Sequence, residues 1–217
     1  MVKARVLTPL PFWDEDSVLA FLEERGWKAC HAYSLWRLAL RHRPERLSDL
    51  ADLAAVSVGE RMLLPGGLVE ALCERFALTT STVVEQHVSE DGTTKLLVEL
   101  QDGQRVEAVV IRHQGRNTLC VSSQIGCQMA CSFCATGTMG IKGGLMGGEI
   151  LEQLYHANGV AKIRNVVFMG ALALAFAFTR ALQRLRSHPL NPRMTPPQNQ
   201  IHTHTQAWAS PSRTTPP

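Results

Sequence analysis

The spacing of hydrophobic positions changes along this chain. From Asp14 to about residue 80, apolar residues recur every three to four positions, the period of a helix with one buried face. Asp14 and Asp16 are N-cap candidates for a helix through FLEERG, with Val18, Leu19 and Leu22 on one face and Gly26 as its stop. AYSLWRLALRH predicts a second helix. LSDLADLAAV, with Leu47, Leu50 and Leu53 three apart, predicts a third, and LVEALCERFAL, after the Pro-Gly-Gly break at 65–67, a fourth.

From Thr82 the period becomes two. TVVEQHVS, TTKLLVEL and QRVEAVVI are separated by EDG and QDG, whose Asp-Gly pairs signal tight turns, so three antiparallel strands joined by hairpins are expected. Leu96, Val98 and Leu100 share one face. On the third strand Val106, Ala108 and Val110 share a face, which sends Glu107 to the other side with Val109 and Ile111. On the residues alone, Glu107 reads more readily as a solvated edge charge than as a functional acid.

TLCVSSQ predicts the first strand of a new, parallel sheet. GEILEQLYHA predicts a helix with Ile150, Leu151 and Leu154 inward, and NVVFMG a short buried strand. Strand, loop, helix, strand is the opening βαβ unit of a barrel-like α/β fold. ALALAFAFTRALQRLR reads as an apolar helix with a basic end; the Pro-rich remainder has no period and reads as disorder. The expected organisation is a helical module over 1–80, antiparallel hairpins over 81–115, the start of an α/β core over 116–170, and a distinct tail over 171–217.

Charge changes little in this picture. The net charge of +3 comes from the tail, because residues 171–217 hold five arginines and no acid, leaving 17 basic against 19 acidic side chains before it. Nucleic-acid binding therefore cannot be argued from bulk charge. The longest apolar run, Val166 to Phe178, has 13 residues, short of the roughly 20 that span a bilayer. Six cysteines without a recognisable signal peptide point to a reducing compartment, where thiols serve metals or catalysis. The cytoplasm is expected, or an organelle stroma or matrix if a transit peptide precedes this sequence.

The chemistry-bearing run is CQMACSFC. Cys127, Cys131 and Cys134 stand in C-x3-C-x2-C spacing. Iron–sulfur cubanes are normally held by four thiolates, so three leave one iron open to a small ligand. Phe133 gives that open corner an apolar neighbour. Zinc is less suited, since its ligands more often pair as C-x2-C with a second pair elsewhere; inert cysteines and a zinc module remain the alternatives. Seven glycines between Gly126 and Gly148 let the backbone wrap a bulky inorganic core.

With its aromatic before the last cysteine, the triplet resembles the radical S-adenosylmethionine (radical SAM) superfamily, and the flanking residues resemble its RNA adenine-carbon-2 methyltransferases, the RlmN/Cfr-like family. The resemblance is carried by QRVEAVVI, TLCVSSQIGCQMACSFCATG, GEILEQL and NVVFMG, within roughly residues 14–170. It implies a partial (βα)6 barrel of which this chain holds the first part. A 4Fe-4S cluster on Cys127, Cys131 and Cys134 would bind S-adenosylmethionine. The substrate would be ribosomal or transfer RNA, the reductant a flavodoxin or ferredoxin, and the enzyme a monomer. Cys120 falls at the family's resolving-cysteine position. Glu107 matches its proton-acceptor glutamate, which reverses the reading from the residues alone. The helical module is associated in the family with RNA binding.

Three departures stand against the pattern. The family continues its FMG strand as MGEP, whereas Gly170 is followed by Ala-Leu-Ala-Leu; no cysteine follows Cys134 to carry the methyl group; and Gly143-Gly144 replace a common Arg-Asn pair. The expectation is a truncated chain, inactive alone, arising from a splice form or from a reading frame that leaves the family's at codon 171. The alternative is a noncatalytic iron–sulfur or RNA-binding fragment.

Overall fold

The computed structural model describes residues 5–56, 64–113, 115–127 and 140–168. The chain enters through a two-residue strand, β1 (Leu10–Pro11), into α1 (Glu15–Glu24). Asp14 caps α1 as expected, its carboxylate accepting from the Ser17 N–H at 3.2 Å. Gly26, at φ +70°, turns the chain out of the helix. α2 (Ala29–His42) buries Ala32, Leu35, Trp36 and Ala39, the i, i+3, i+4, i+7 stripe of an amphipathic helix. α3 (Asp49–Val56) and α4 (Leu68–Arg75) follow.

The fourth helix is shorter than its sequence period implies. Phe76–Ala77 leave it to form β2, which pairs in parallel with β1. The cause is packing: Phe76 is buried edge-on against Phe21, with ring centroids 5.5 Å apart.

The three expected strands form as β3 (Thr82–Val88), β4 (Thr94–Glu99) and β5 (Arg105–His113), paired antiparallel. Both Asp-Gly turns place glycine in the left-handed region, Gly92 at φ +80° and Gly103 at +76°. The strand expected to found a new sheet does not do so. β6 (Arg116–Val121) pairs antiparallel with β5, turning at Gly115 (φ +81°), and adds to the same sheet. After it come β7 (Gln124–Gly126) and β8 (Ile141–Gly144), a separate antiparallel pair, then α5 (Gly147–Val160) and β9 (Asn165–Phe168). β9 lies parallel to β6, completing the expected βαβ unit inside a five-stranded sheet ordered β3-β4-β5-β6-β9. All four β9 residues are half-buried, not fully buried as expected, because among the described residues only β6 flanks that strand.

One hydrophobic cluster joins the helices to the sheet. Trp13 lies 5.2 Å from the Tyr155 ring of α5, Trp36 donates to the Phe12 carbonyl at 2.8 Å, and the Arg43 guanidinium sits 4.6 Å over Tyr155. Helix α5 is thus enclosed by the module on one side and the sheet on the other. Among the described residues no helix is long and apolar enough to cross a membrane. The tail from residue 171, with its expected helix and disorder, lies outside the described residues.

Candidate active site

Strand alternation sorts the sheet into two faces. Leu96, Val98, Val106, Ala108, Val110, Leu119 and Val121 are buried on the side covered by α5. The opposite face carries Lys95, Glu107, Val109, Ile111, Cys120 and, just past β6, Ser122. Register makes Glu107 and Cys120 diagonal neighbours, since Cys120 stands opposite Val109, two residues along β5.

Glu107 is exposed, and its Oε1 lies 3.1 Å from the Lys95 Nζ across the hairpin. An exposed pair of this kind contributes little to stability, so the carboxylate remains open to other partners. Cys120 is half-buried, and burial pushes its thiol above the ordinary range. It is therefore protonated near neutral pH and needs a base before it can act as a nucleophile.

Cys127 sits at a pinned neck in the backbone. Its N–H donates to the Gly140 carbonyl at 3.1 Å, and β7 and β8 pair immediately behind it. Gly126 is required there twice over: its φ is +74°, and an added Cβ would lie 1.8 Å from the Gly140 oxygen. Gly143 and Gly144 are β8 residues opposite Ile125 and Gln124. Cys131, Phe133 and Cys134 lie outside the described residues. Among the described residues no three His, Cys, Asp or Glu side chains group to hold a metal. The donor set still fits an iron–sulfur cluster, because three soft thiols lie close together in sequence and the first sits at a closed neck.

Sequence periodicity missed a row of buried polar side chains on α5. Glu149 accepts from the Met146 N–H at 2.9 Å and from Arg5 Nη1 at 2.7 Å, and Arg5 also reaches Asp102 at 2.6 Å. Glu152 is fully buried and accepts from the N–H groups of Thr80 and Ser81, both at 2.8 Å, and from both hydroxyls. Burial raises its carboxyl to about 7, with those four donors working in the opposite direction. His156, held below its ordinary range by burial, meets the same Ser81 hydroxyl at 3.1 Å. The trio is no catalytic triad, since His156 and Glu152 both engage one hydroxyl and Ser81 is buried. Gln153 is fully buried and grips Ser122: its Oε1 accepts from the Ser122 N–H and its Nε2 donates to the Ser122 carbonyl, each at 2.9 Å. The signal was present as polar residues at i, i+3 and i+4 in GEILEQL.

The same fold occurs in a solved radical SAM methyltransferase from Sphaerobacter thermophilus, with a TM-score of 0.65 and 28% identity over 81% of this chain and 52% of that one. By fold, this chain is thus similar to a radical SAM methyltransferase. A probable dual-specificity RNA methyltransferase RlmN of Chlorobium chlorochromatii is 51% identical over 117 residues, 49% of this chain and 32% of its own length. The protein of that name in Rhodopirellula baltica is 36% identical over 162 residues, 73% of this chain and 41% of its own. Over these segments the chain matches proteins of the RlmN/Cfr-like family. The chain spans roughly a third to under a half of the length of these curated relatives. No family model matches the chain.

Proposed function

We propose that this chain carries the cluster-binding and proton-handling part of a radical SAM RNA methyltransferase that adds a methyl group to carbon 2 of adenine. The observation carrying this reading is the shared open face of Glu107 and Cys120, on adjacent strands whose continuation leads to Cys127 at the loop neck. Cys127, Cys131 and Cys134 would hold a 4Fe-4S cluster, with Phe133 as apolar neighbour to its open iron. With S-adenosylmethionine bound, that cluster supplies the one-electron chemistry needed at an electron-poor ring carbon that resists polar methylation.

The chain's own residues then handle protons and release. Cys120, kept protonated by its burial, must give up its proton before its thiolate can attack the sulfur of a carrier cysteine joined through its methylene to the adenine; the S–S bond forms as the S–CH2 bond breaks, and the released carbon keeps that electron pair and takes up a proton as the new methyl group. Glu107 is the acceptor in this reading, held on the same face by Lys95 and open to solvent. The substrate is RNA, ribosomal or transfer, and the reductant a flavodoxin or ferredoxin, meeting a monomer. No cysteine follows Cys134 in this sequence, so turnover in this reading needs a carrier cysteine supplied by a further segment.

Anaerobic reconstitution of the chain with iron and sulfide tests the proposal. Expected are about four irons per chain and a spectral change on adding S-adenosylmethionine. Zinc at about one per chain with no bound iron would sink the cluster reading.

A further inference from the structure

We infer that Ser122 is a positioning residue that sets Glu107 relative to Cys120, with Gln153 holding Ser122 for that task. The β5–β6 ladder ends at Val109 opposite Cys120, two rungs short of Glu107. Beyond it the backbone connection is made by a side chain: the Ser122 hydroxyl donates to the Glu107 carbonyl at 2.8 Å. On its other side β6 runs with β9, among the described residues, as far as Val121 opposite Phe168. At the next residue the Gln153 carboxamide takes hold, offering one acceptor and one donor to the Ser122 backbone.

Ser122 is therefore fastened in both directions. It lies two residues past Cys120 on the same face, and the next residue, Ser123, accepts from the Leu145 N–H at 3.1 Å beside the loop neck. Gln153 is rigid in turn, being fully buried on a helix whose adjacent Glu152 is locked by Thr80 and Ser81. The network touches neither reacting atom directly. Its effect is to fix two strand ends that present a carboxylate and a thiol, whose cooperation depends on sub-ångström placement.

The inference rests on the roles proposed for Glu107 and Cys120, so its test reads the thiol and does not need methyl transfer. In the full chain, iodoacetamide alkylation of each cysteine is followed against pH by mass spectrometry, for Ser122→Ala, Ser122→Thr and Gln153→Ala. Freeing the strand end hydrates Cys120 and lowers its titration midpoint, so Ser122→Ala should raise its rate below the midpoint by roughly threefold or more. Ser122→Thr, which keeps the hydroxyl, should restore the parent profile, and Cys30 and Cys73 in the helical module should not change. Gln153→Ala should act in the same direction as Ser122→Ala. An unchanged Cys120 profile in Ser122→Ala, an equal shift in Ser122→Thr, or a matching gain at Cys30 and Cys73 would each overturn the inference. Should Gln153→Ala fail to fold, the two Ser122 variants decide alone. If cluster assembly fails while the Cys120 profile shifts as expected, the functional reading falls and the positioning role stands.

Discussion

The two faces of the five-stranded sheet are made by the same strands, yet they do different work. Toward α5, seven apolar side chains are sealed into the common core. Away from it, Lys95, Glu107, Ile111 and Cys120 stand exposed or half-buried. Adjacent residues on one strand thus divide between stability and chemistry, so a substitution can be aimed at either without moving along the chain. The sharpest break of this contrast is a core truncation. Leu96→Ala, at a fully buried position, should cost about 3 kcal/mol in urea unfolding, whereas Ile111→Ala on the open face should stay within about 0.5 kcal/mol. Comparable losses from both would mean that the second face is covered in solution.

The next largest effect is expected where the core side turns polar. Glu152→Gln sets an amide N–H₂ against donors that cannot all reverse, notably the Thr80 and Ser81 backbone N–H groups, and should cost about 2 kcal/mol. It should also change how stability depends on pH. The Glu152 carboxyl rises from its ordinary 4.5 to about 7 in the fold, so the folded state holds that proton more tightly than the unfolded chain. Its contribution is complete below the ordinary value and is lost as pH climbs to about 7. His156 has the opposite sign, since burial lowers it and folding is penalised as pH falls through its ordinary 6.5. The informative quantity is the difference between parent and Glu152→Gln, measured from about pH 5 to about pH 8. That difference should shrink as pH rises, and a flat difference would show that the carboxylate stays ionised throughout.

How legible this was differs between the two faces. Alternation in TTKLLVEL and QRVEAVVI assigned both faces correctly, because a strand buried on one side has one unambiguous period. The Asp-Gly turns and the Asp14 cap were equally plain, each being a local device that works without tertiary context. The sheet's continuation was not. His113-Gln114-Gly115 carries a weaker turn signal than Asp-Gly, so β6 was read as the start of a second sheet, although Gly115 supplies the positive φ that a hairpin needs. Helix α5 defeated the stripe argument for a physical reason. It is enclosed by Trp13 and Arg43 on one side and the sheet on the other, so Glu149, Glu152 and Gln153 are as buried as Ile150. The roles proposed for Cys120 and Glu107 come from resemblance, while the register that makes them neighbours required the pairing of β5 with β6.

Where the open face meets the neck at Gly126, a further substitution sharpens the contrast. Gly126→Ala must bear a left-handed φ, which costs about 1–2 kcal/mol, and must push its Cβ away from the Gly140 oxygen. Parting β7 from β8 should leave the sheet intact, so far-ultraviolet circular dichroism should hold while iron uptake on reconstitution falls severalfold. Normal iron loading in this variant would show that the neck does not govern the loop's capacity to bind.

The smallest effect is expected at the residue to which the reading gives the most chemistry. Glu107→Gln removes one charge from an exposed pair with Lys95, both side chains about half exposed, and such pairs contribute under about 1 kcal/mol. Urea unfolding should therefore place the variant within about 0.5 kcal/mol of the parent. The carboxylate matters in this account for accepting a proton, and a surface base can be removed without disturbing the core beneath it. A loss near that of Leu96→Ala would make Glu107 a structural residue and the open face an extension of the core. A negligible loss keeps the two faces distinct and leaves Glu107 available for proton transfer beside Cys120.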